Sequence, residues 1–495
     1  MASSKVASDD AWGSEDDYFS RPPTKVNGDA SWIATIGFWM LLFLNLILGI
    51  IAGFADCFIR SLASVGKMAA EKGRPLYFAP TSWWYNLGMA IRLIVKGKKS
   101  RFVLFNQMRN AFGGGDWWWH GEGAWSWRHE AVRQTMASDQ KRTAAFGAVT
   151  ACCPEAFPPR MLLFIDGSEW SACRSALIEK LSAKRCWEGR LPNLAAAMEA
   201  KLKPAGGFTL ATLDKTLSDN CVAFGVWYLL FGVELTPEQC ATVAAWGASG
   251  LAGVFVFPRL LQRIAFNRLL KRITKLRKDT LAVAKAHGLQ DLLVSMNESL
   301  GEYKRPTAVE FADELMYAVN FAGVGGTSHG CWNVSQFLRG EGNDVPLAGL
   351  GADVPATTFP PKEKLPGLFK SNPTAFIKEA VRIDAPVTSA TCVFKEDTEI
   401  DGINMACCGK PGKLCVKAGT MHQYVLSMAN RDPAVFDNPN AFDPARPNLD
   451  KMLGWNGALD DPSKYPRICP GQELSVAVIQ TVISLVKEVA DAQIV

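Results

Sequence analysis

The chain has 495 residues, 48% hydrophobic and 20% charged, with a net charge of +5. That length supports a large core, and so weak a positive balance excludes a protein that holds nucleic acid by bulk charge. Thirteen cysteines without framework spacing read as mostly reduced and buried, as in a cytosol-facing protein.

Residues 1–30 include "SDDAWGSEDDYFS" and read as a disordered acidic tail. From Ala30 to Ala55 no charged residue occurs. This exceeds the roughly 20 residues a helix needs to cross a bilayer. Residues 31–56 are therefore predicted to be a single transmembrane anchor, with Trp32 and Trp39 at its interfaces; a buried core helix is the other reading. Arg60, Lys67, Lys72 and Arg74 follow and put the C-terminal side in the cytosol. The acidic leader does not look like a transit peptide or signal n-region. The membrane is read as the endoplasmic reticulum, with a plastid envelope as the alternative. Residues 65–495 are read as one catalytic domain.

Next comes a tryptophan-rich stretch, "GGGDWWWHGEGAWSWRHE", read as packing or a membrane-surface patch. From about 160 to 340 helical spacing dominates. Residues 340–370 are Gly/Pro-rich and loop-like. "PTAFIKEAVRI" reads as a helix, "TCVFKEDTEI" and "KLCVKAGTMHQYVLS" as strands, 430–470 as a long irregular meander, and the last 25 residues as helix. The class is mainly α with a minor β-sheet.

Glu379 and Arg382 in "KEAVR" lie three apart, on one helix face, where they can pair. Alone, that pattern reads as a surface ion pair. It is followed by "RDPAVFDNPNAFDPAR" and "YPRICPG", so Glu379, Arg382 and Arg446 are candidates for one buried network that supports the meander and presents Cys469. Pro470 and Gly471 suit a turn into a helix N-terminus, whose N–H groups favour a thiolate. Cys407, Cys408 and Cys415 lack such a setting, and no zinc partners stand at ligand spacing.

These residues resemble the cytochrome P-450 superfamily of haem-thiolate enzymes. Its Glu-x-x-Arg is similar to Glu379 and Arg382, its Phe-x-Pro-x-Arg to Phe442, Pro444 and Arg446, and its Arg-x-Cys-x-Gly to Arg467, Cys469 and Gly471. Trp170 and Arg174 resemble its Trp-x-x-x-Arg, which contacts the haem propionates. The resemblance implies the cytochrome P-450 fold after the anchor, a haem b cofactor, Cys469 as axial iron ligand, and Arg467, Trp170 and Arg174 as haem contacts. Thiolate ligation pushes electron density toward O–O cleavage.

Oxygen-activating members carry Ala/Gly-Gly-x-Asp/Glu-Thr in the distal helix. Here the stretch is "VNFAGVGGTSHG". A register from Ala322 puts Gly325 and Gly326 at the acid and alcohol positions. One from Gly323 keeps Thr327 but puts Gly326 at the acid position. One from Gly325 gives Ser328 and His329. None supplies the carboxylate. The allene oxide synthase/hydroperoxide lyase branch lacks that pair too and carries an Asn-x-x-Gly-Gly-type helix, to which "NFAGVGG" is similar through Asn320 with either Gly323 or Gly325 and Gly326. Trp455, Asn456 and Gly457 upstream of Cys469, and Pro386, Val387 and Thr388 facing substrate, also resemble that branch.

This resemblance implies an enzyme that rearranges, dehydrates or cleaves fatty-acid hydroperoxides without external reductant, Asn320 holding the peroxide and Phe321 influencing the radical. The other reading is a membrane-anchored monooxygenase that uses Thr327, dioxygen and an NADPH reductase on a lipid, sterol or terpenoid. A dinucleotide loop is disfavoured, because Gly-x-Gly-x-x-Gly from Gly323 fails at Ser328. His329 reads either as a sixth iron ligand or as a satisfied polar group.

Overall fold

The computed structural model describes residues 11–20, 117–120, 123–138, 140–141, 157–158, 160–253, 259–342, 357–405, 410–419 and 421–494. The principal helices are α1 Glu15–Ser20, α2 His129–Ala137, α3 Gly167–Leu177, α4 Lys215–Phe231, α5 Pro237–Gly253, α6 Arg259–Ala286, α7 Ala308–Tyr317, α8 Gly325–Leu338, α9 Pro373–Ile383 and α10 Gln472–Ser484.

Local chemistry sets several of their ends. Asp214 caps α4 by accepting from the Leu217 N–H at 2.7 Å, and Gly232 closes it in the left-handed region (φ 71°). Asn372 caps α9 by accepting from the Ala375 N–H at 3.0 Å, and Pro373 fits the first turn. The core centres on α4, whose residues are buried on nearly every side. It meets α10 closely: a Cβ on Gly225 would lie 2.9 Å from Val478 Cγ1.

The helical stretch 308–338 is not uniform. Ala318–Val324 forms a π-helical segment between α7 and α8. Such segments recur at functional sites and are invisible to a 3.6-residue pattern.

A five-stranded mixed sheet has the order β1-β2-β7-β4-β3. Its strands are β1 Trp117–His120, β2 Gly123–Ser126, β3 Gln140–Lys141, β4 Ala390–Phe394 and β7 Met421–Tyr424. The strands β5 Thr398–Met405 and β6 Lys410–Val416 pair with each other, and β8 Leu453–Gly454 with β9 Gly457–Ala458. Each of the two predicted strand stretches thus supplies two strands. The tryptophan-rich stretch is not merely a packing patch: β1 and β2 pair antiparallel, and β2 runs parallel to β7. The class, mainly α with minor sheets, is the one expected.

Residues 11–20 depart from the disordered tail. Trp12 is buried. The Tyr18 hydroxyl donates to Asp313 Oδ2 at 2.9 Å and accepts from Arg277 Nη2 at 3.2 Å. Three aromatic side chains within an acidic segment outweigh its polarity. The anchor expected at 31–56 lies outside the described residues. Among the described residues no helix is long and apolar enough to cross a membrane.

Candidate haem-thiolate site

The predicted ion network is assembled and buried. Arg382 donates through Nε to Glu379 Oε2 and through Nη2 to Oε1, both at 2.7 Å, with both side chains fully buried. Its Nη1 donates to the carbonyls of Asn430 and Pro439, each at 2.8 Å. Arg446 stands 3.5 Å from Glu379 Oε1, which also accepts the Asp443 N–H at 3.0 Å. Arg446 donates to the Asp437 and Ala441 carbonyls as well. The network therefore fastens the helix bearing Glu379 to the meander, at Asn430 and at 437–443.

Asn430 carries the connection onward. Its side chain accepts the Leu453 N–H at 2.7 Å and donates to the Leu453 carbonyl at 3.1 Å. Two residues on, the Trp455 carbonyl accepts the Cys469 N–H at 2.7 Å. Nothing in the sequence pattern singled out Asn430.

Cys469 stands just before α10, whose N-cap is Gly471. Burial pushes its thiol up, while the Gly471 N–H and the Arg174 guanidinium pull the other way. The residue nonetheless keeps accessible surface. Arg174 lies 5.4 Å and Arg467 4.5 Å from the Trp170 ring centroid. Arg174 donates to the Ile468 carbonyl, and Arg467 pairs with Asp166 and donates to the Ile165 carbonyl at 3.0 Å. The four residues expected around the cofactor are thus brought together. Trp170, Lys395 and Arg467 help line a cleft of about 160 Å³. That admits a carboxylate arm, whereas whole-ligand pockets run to several hundred Å³.

The kinked segment offers one open face. Ala322 is exposed and Gly323, Gly325, Gly326 and His329 are partly so, whereas Asn320, Val324, Thr327 and Ser328 are buried. A Cβ at Gly323 or Gly326 would meet nothing within 4 Å. Below, α8 packs on α10, where a Cβ at Gly330 would lie 3.1 Å from Ile479 Cδ1 and 3.7 Å from Pro386 Cγ. Beside Pro386, Val387 is 55% exposed, whereas Thr388 is buried.

Asn320 does not belong to that face. It is fully buried, and its Oδ1 accepts from Trp227 Nε1 on α4 at 3.0 Å. Trp227, absent from the sequence argument, explains why: a buried indole N–H needs an acceptor. Phe321 is half-buried with its ring 5.6 Å from that of Tyr317. The acids of α7 are engaged elsewhere. Asp313 pairs with Arg277, and Glu314 Oε2 accepts from Arg305 Nε at 2.6 Å.

These features fit a haem. A thiol beside a helix N-terminus and two guanidiniums flanking an indole are the groups that would serve as the iron ligand and the propionate partners. Among the described residues no cluster of three or more His, Cys, Asp or Glu could hold a bare metal ion.

Residues 374–486 match the family described as Cytochrome P450. A putative cytochrome P450 140 of Mycobacterium tuberculosis is 34% identical over 80 residues, 16% of each chain. Cytochrome P450-terp of a Pseudomonas species is 30% identical over 138 residues, 27% of each chain. The alignments thus span well under a third of these curated relatives. Among solved structures, the myxobacterial cytochrome P450 CYP267B1 in complex with myristic acid superposes with a TM-score of 0.53 at 17% identity, covering 79% of this chain and 88% of that one. A mutant of P450 EryK in complex with erythromycin B gives 0.52 at 17%, covering 77% and 86%. At such identities these structures speak for the fold.

Proposed function

We infer that this chain is a haem-thiolate enzyme of the cytochrome P450 superfamily whose substrate brings its own O–O bond, as a lipid hydroperoxide. The observation behind this reading is the open face of the kinked helix. Among the described residues it carries no carboxylate to feed protons to bound dioxygen, and the nearby acids Asp313 and Glu314 are held by Arg277 and Arg305. Haem b, ligated by Cys469, would supply the redox-active iron that splits a peroxide bond.

The chain's own residues do the rest. Arg174 and Arg467 would neutralise the propionates, and the Gly471 N–H steadies the sulfur. Gly323 and Gly326 leave space for the peroxide. His329, half-buried on that face, is read as a hydrogen-bonding group toward a peroxide oxygen, the task first expected of Asn320. Val387 and Phe321 offer apolar surface to the lipid chain. Reductase-supported monooxygenation, with dioxygen and NADPH, is the second reading; the Thr327 it would use is buried off that face.

Attachment to the endoplasmic reticulum through 31–56 belongs to this proposal, with one change. Trp12 and Tyr18 pack on the catalytic body, so tail and body share one side of the bilayer. A glycosylation acceptor placed ahead of Trp12 should stay unmodified in microsomes; its modification would restore the single crossing.

The enzymatic reading is tested by mixing the haem-loaded protein with a polyunsaturated fatty-acid hydroperoxide, free of oxygen, reductase and NADPH. Rapid loss of hydroperoxide, abolished in Cys469→Ala, is expected. An intact haem spectrum with untouched hydroperoxide would instead favour the monooxygenase.

A further inference from the structure

The stretch Gly454-Trp455-Asn456-Gly457 forms a two-residue hairpin between β8 and β9. Trp455 has φ 50° and Asn456 φ 60°. Two successive positive φ values define a type I′ turn, where Asn-Gly or Gly-Gly is usual. Asn tolerates this region, but a bulky residue there is a genuine outlier. Strain of this kind persists only where its surroundings over-determine it.

Those surroundings converge on the cysteine loop. The Trp455 carbonyl accepts the Cys469 N–H at 2.7 Å. The Trp455 indole N–H donates to Ser475 Oγ at 2.9 Å, one turn into α10. Asn456 Nδ2 donates to the Arg467 carbonyl at 3.0 Å, and its Oδ1 accepts from the Tyr424 hydroxyl on β7 at 2.9 Å. A Cβ on Gly457 would lie 2.9 Å from Ile468 Cδ1, so the hairpin presses directly on the loop. Two strained residues thus tie both flanks of the loop, Arg467 and Ser475, and the Cys469 amide itself, to the sheet.

We propose that Trp455 and Asn456 are positioning residues for Cys469: the left-handed turn holds the cysteine loop so that its sulfur is presented as a thiolate ligand. The inference rests on Cys469 ligating haem. The turn is retained despite its strain because a relaxed turn would let the loop shift and the sulfur take up a proton or withdraw.

The test uses the haem-loaded full chain and the Soret band of its ferrous carbon monoxide complex, which distinguishes thiolate from thiol ligation. Asn456→Gly keeps the backbone conformation and deletes both side-chain bonds. Trp455→Phe keeps the ring and deletes only the indole bond. Thermal unfolding is followed in parallel. The expected result for Asn456→Gly is a folded protein in which the ratio of thiol- to thiolate-ligated forms rises about tenfold, equivalent to about 1.4 kcal/mol. Trp455→Phe should move the ratio the same way by less. Should Asn456→Gly fail to fold, Trp455→Phe and Tyr424→Phe carry the test alone. Wild-type spectra in every folded variant would overturn the proposal. A wild-type protein with no thiolate signature would instead overturn the assignment of Cys469 itself.

Discussion

Replacing Arg382 with methionine should remove most of the stability of the catalytic body. Methionine preserves much of the volume but none of the five hydrogen-bond donors. Glu379 would keep the Asp443 N–H at 3.0 Å and Arg446 at 3.5 Å, and would lose both 2.7 Å bonds. Leaving one charge of a buried pair uncompensated costs about 3–5 kcal/mol. The Asn430 and Pro439 carbonyls would also lose a donor, adding about 1 kcal/mol or more each. The sum, on the order of 6 kcal/mol, rivals the whole stability of a typical domain, about 5–15 kcal/mol. Because Asn430 connects the network to the hairpin behind Cys469, haem should be lost in the same transition. Urea unfolding followed by tryptophan fluorescence and by haem absorbance measures both. Arg382→Lys, which keeps a charge but not the fork, should fall between wild type and Arg382→Met. Combining Arg382→Met with Glu379→Leu should cost less than the separate losses added together. A cost below about 1 kcal/mol for Arg382→Met, or a lysine variant weaker than the methionine one, would refute the reasoning.

Other outcomes are equally concrete. His422 is fully buried, its Nε2 3.1 Å from Ser126 Oγ, and burial pulls its pKa down to about 3. A histidine held neutral contributes stability that is complete above its unfolded value near 6.5 and is lost as pH falls toward 3, by about 1.4 kcal/mol per pH unit. Denaturation of His422→Gln between pH 6.5 and 5 should show a correspondingly shallower slope, and an unchanged slope would remove histidine from the acid limb. Asn320→Ala should destabilise by about 1–3 kcal/mol, because it orphans the Trp227 N–H, and should leave the KM for hydroperoxide unchanged. His329→Ala should instead lower kcat for the hydroperoxide, and an unchanged kcat would remove it from the site. Tyr18→Phe should loosen the tail from Asp313 and Arg277 and speed proteolysis between residues 20 and 30, while haem content stays constant.

The residues that belong to dense local chemistry were the legible ones. Glu379, Arg382, Arg446 and Cys469 combine charge, proline and glycine at spacings that few other arrangements explain; the structure joins the first three in one buried network and reaches Cys469 only through Asn430, Leu453 and Trp455. The distal helix was harder. A hydrophobic pattern reports a period of 3.6, so the π segment from Ala318 to Val324 was hidden, and with it the rotation that turns Asn320 toward Trp227. The acidic tail misled for a related reason. Composition counts the acids of "EDDYF" but not that Tyr18 would meet a buried Arg277–Asp313 pair nearly 300 positions away. Trp455 and Asn456 were visible as residues, but their role depends on φ angles that no side-chain pattern encodes.

Ligation of one haem by the sulfur of Cys469 is tested by the low-temperature electron paramagnetic resonance spectrum of the ferric protein, beside that of Cys469→Ala, each with its haem-to-protein ratio. A thiolate-type low-spin signal at one haem per chain is expected in the wild type, with loss of that signal in the variant. The same signal in both proteins, or no haem retained by the wild type, would contradict it.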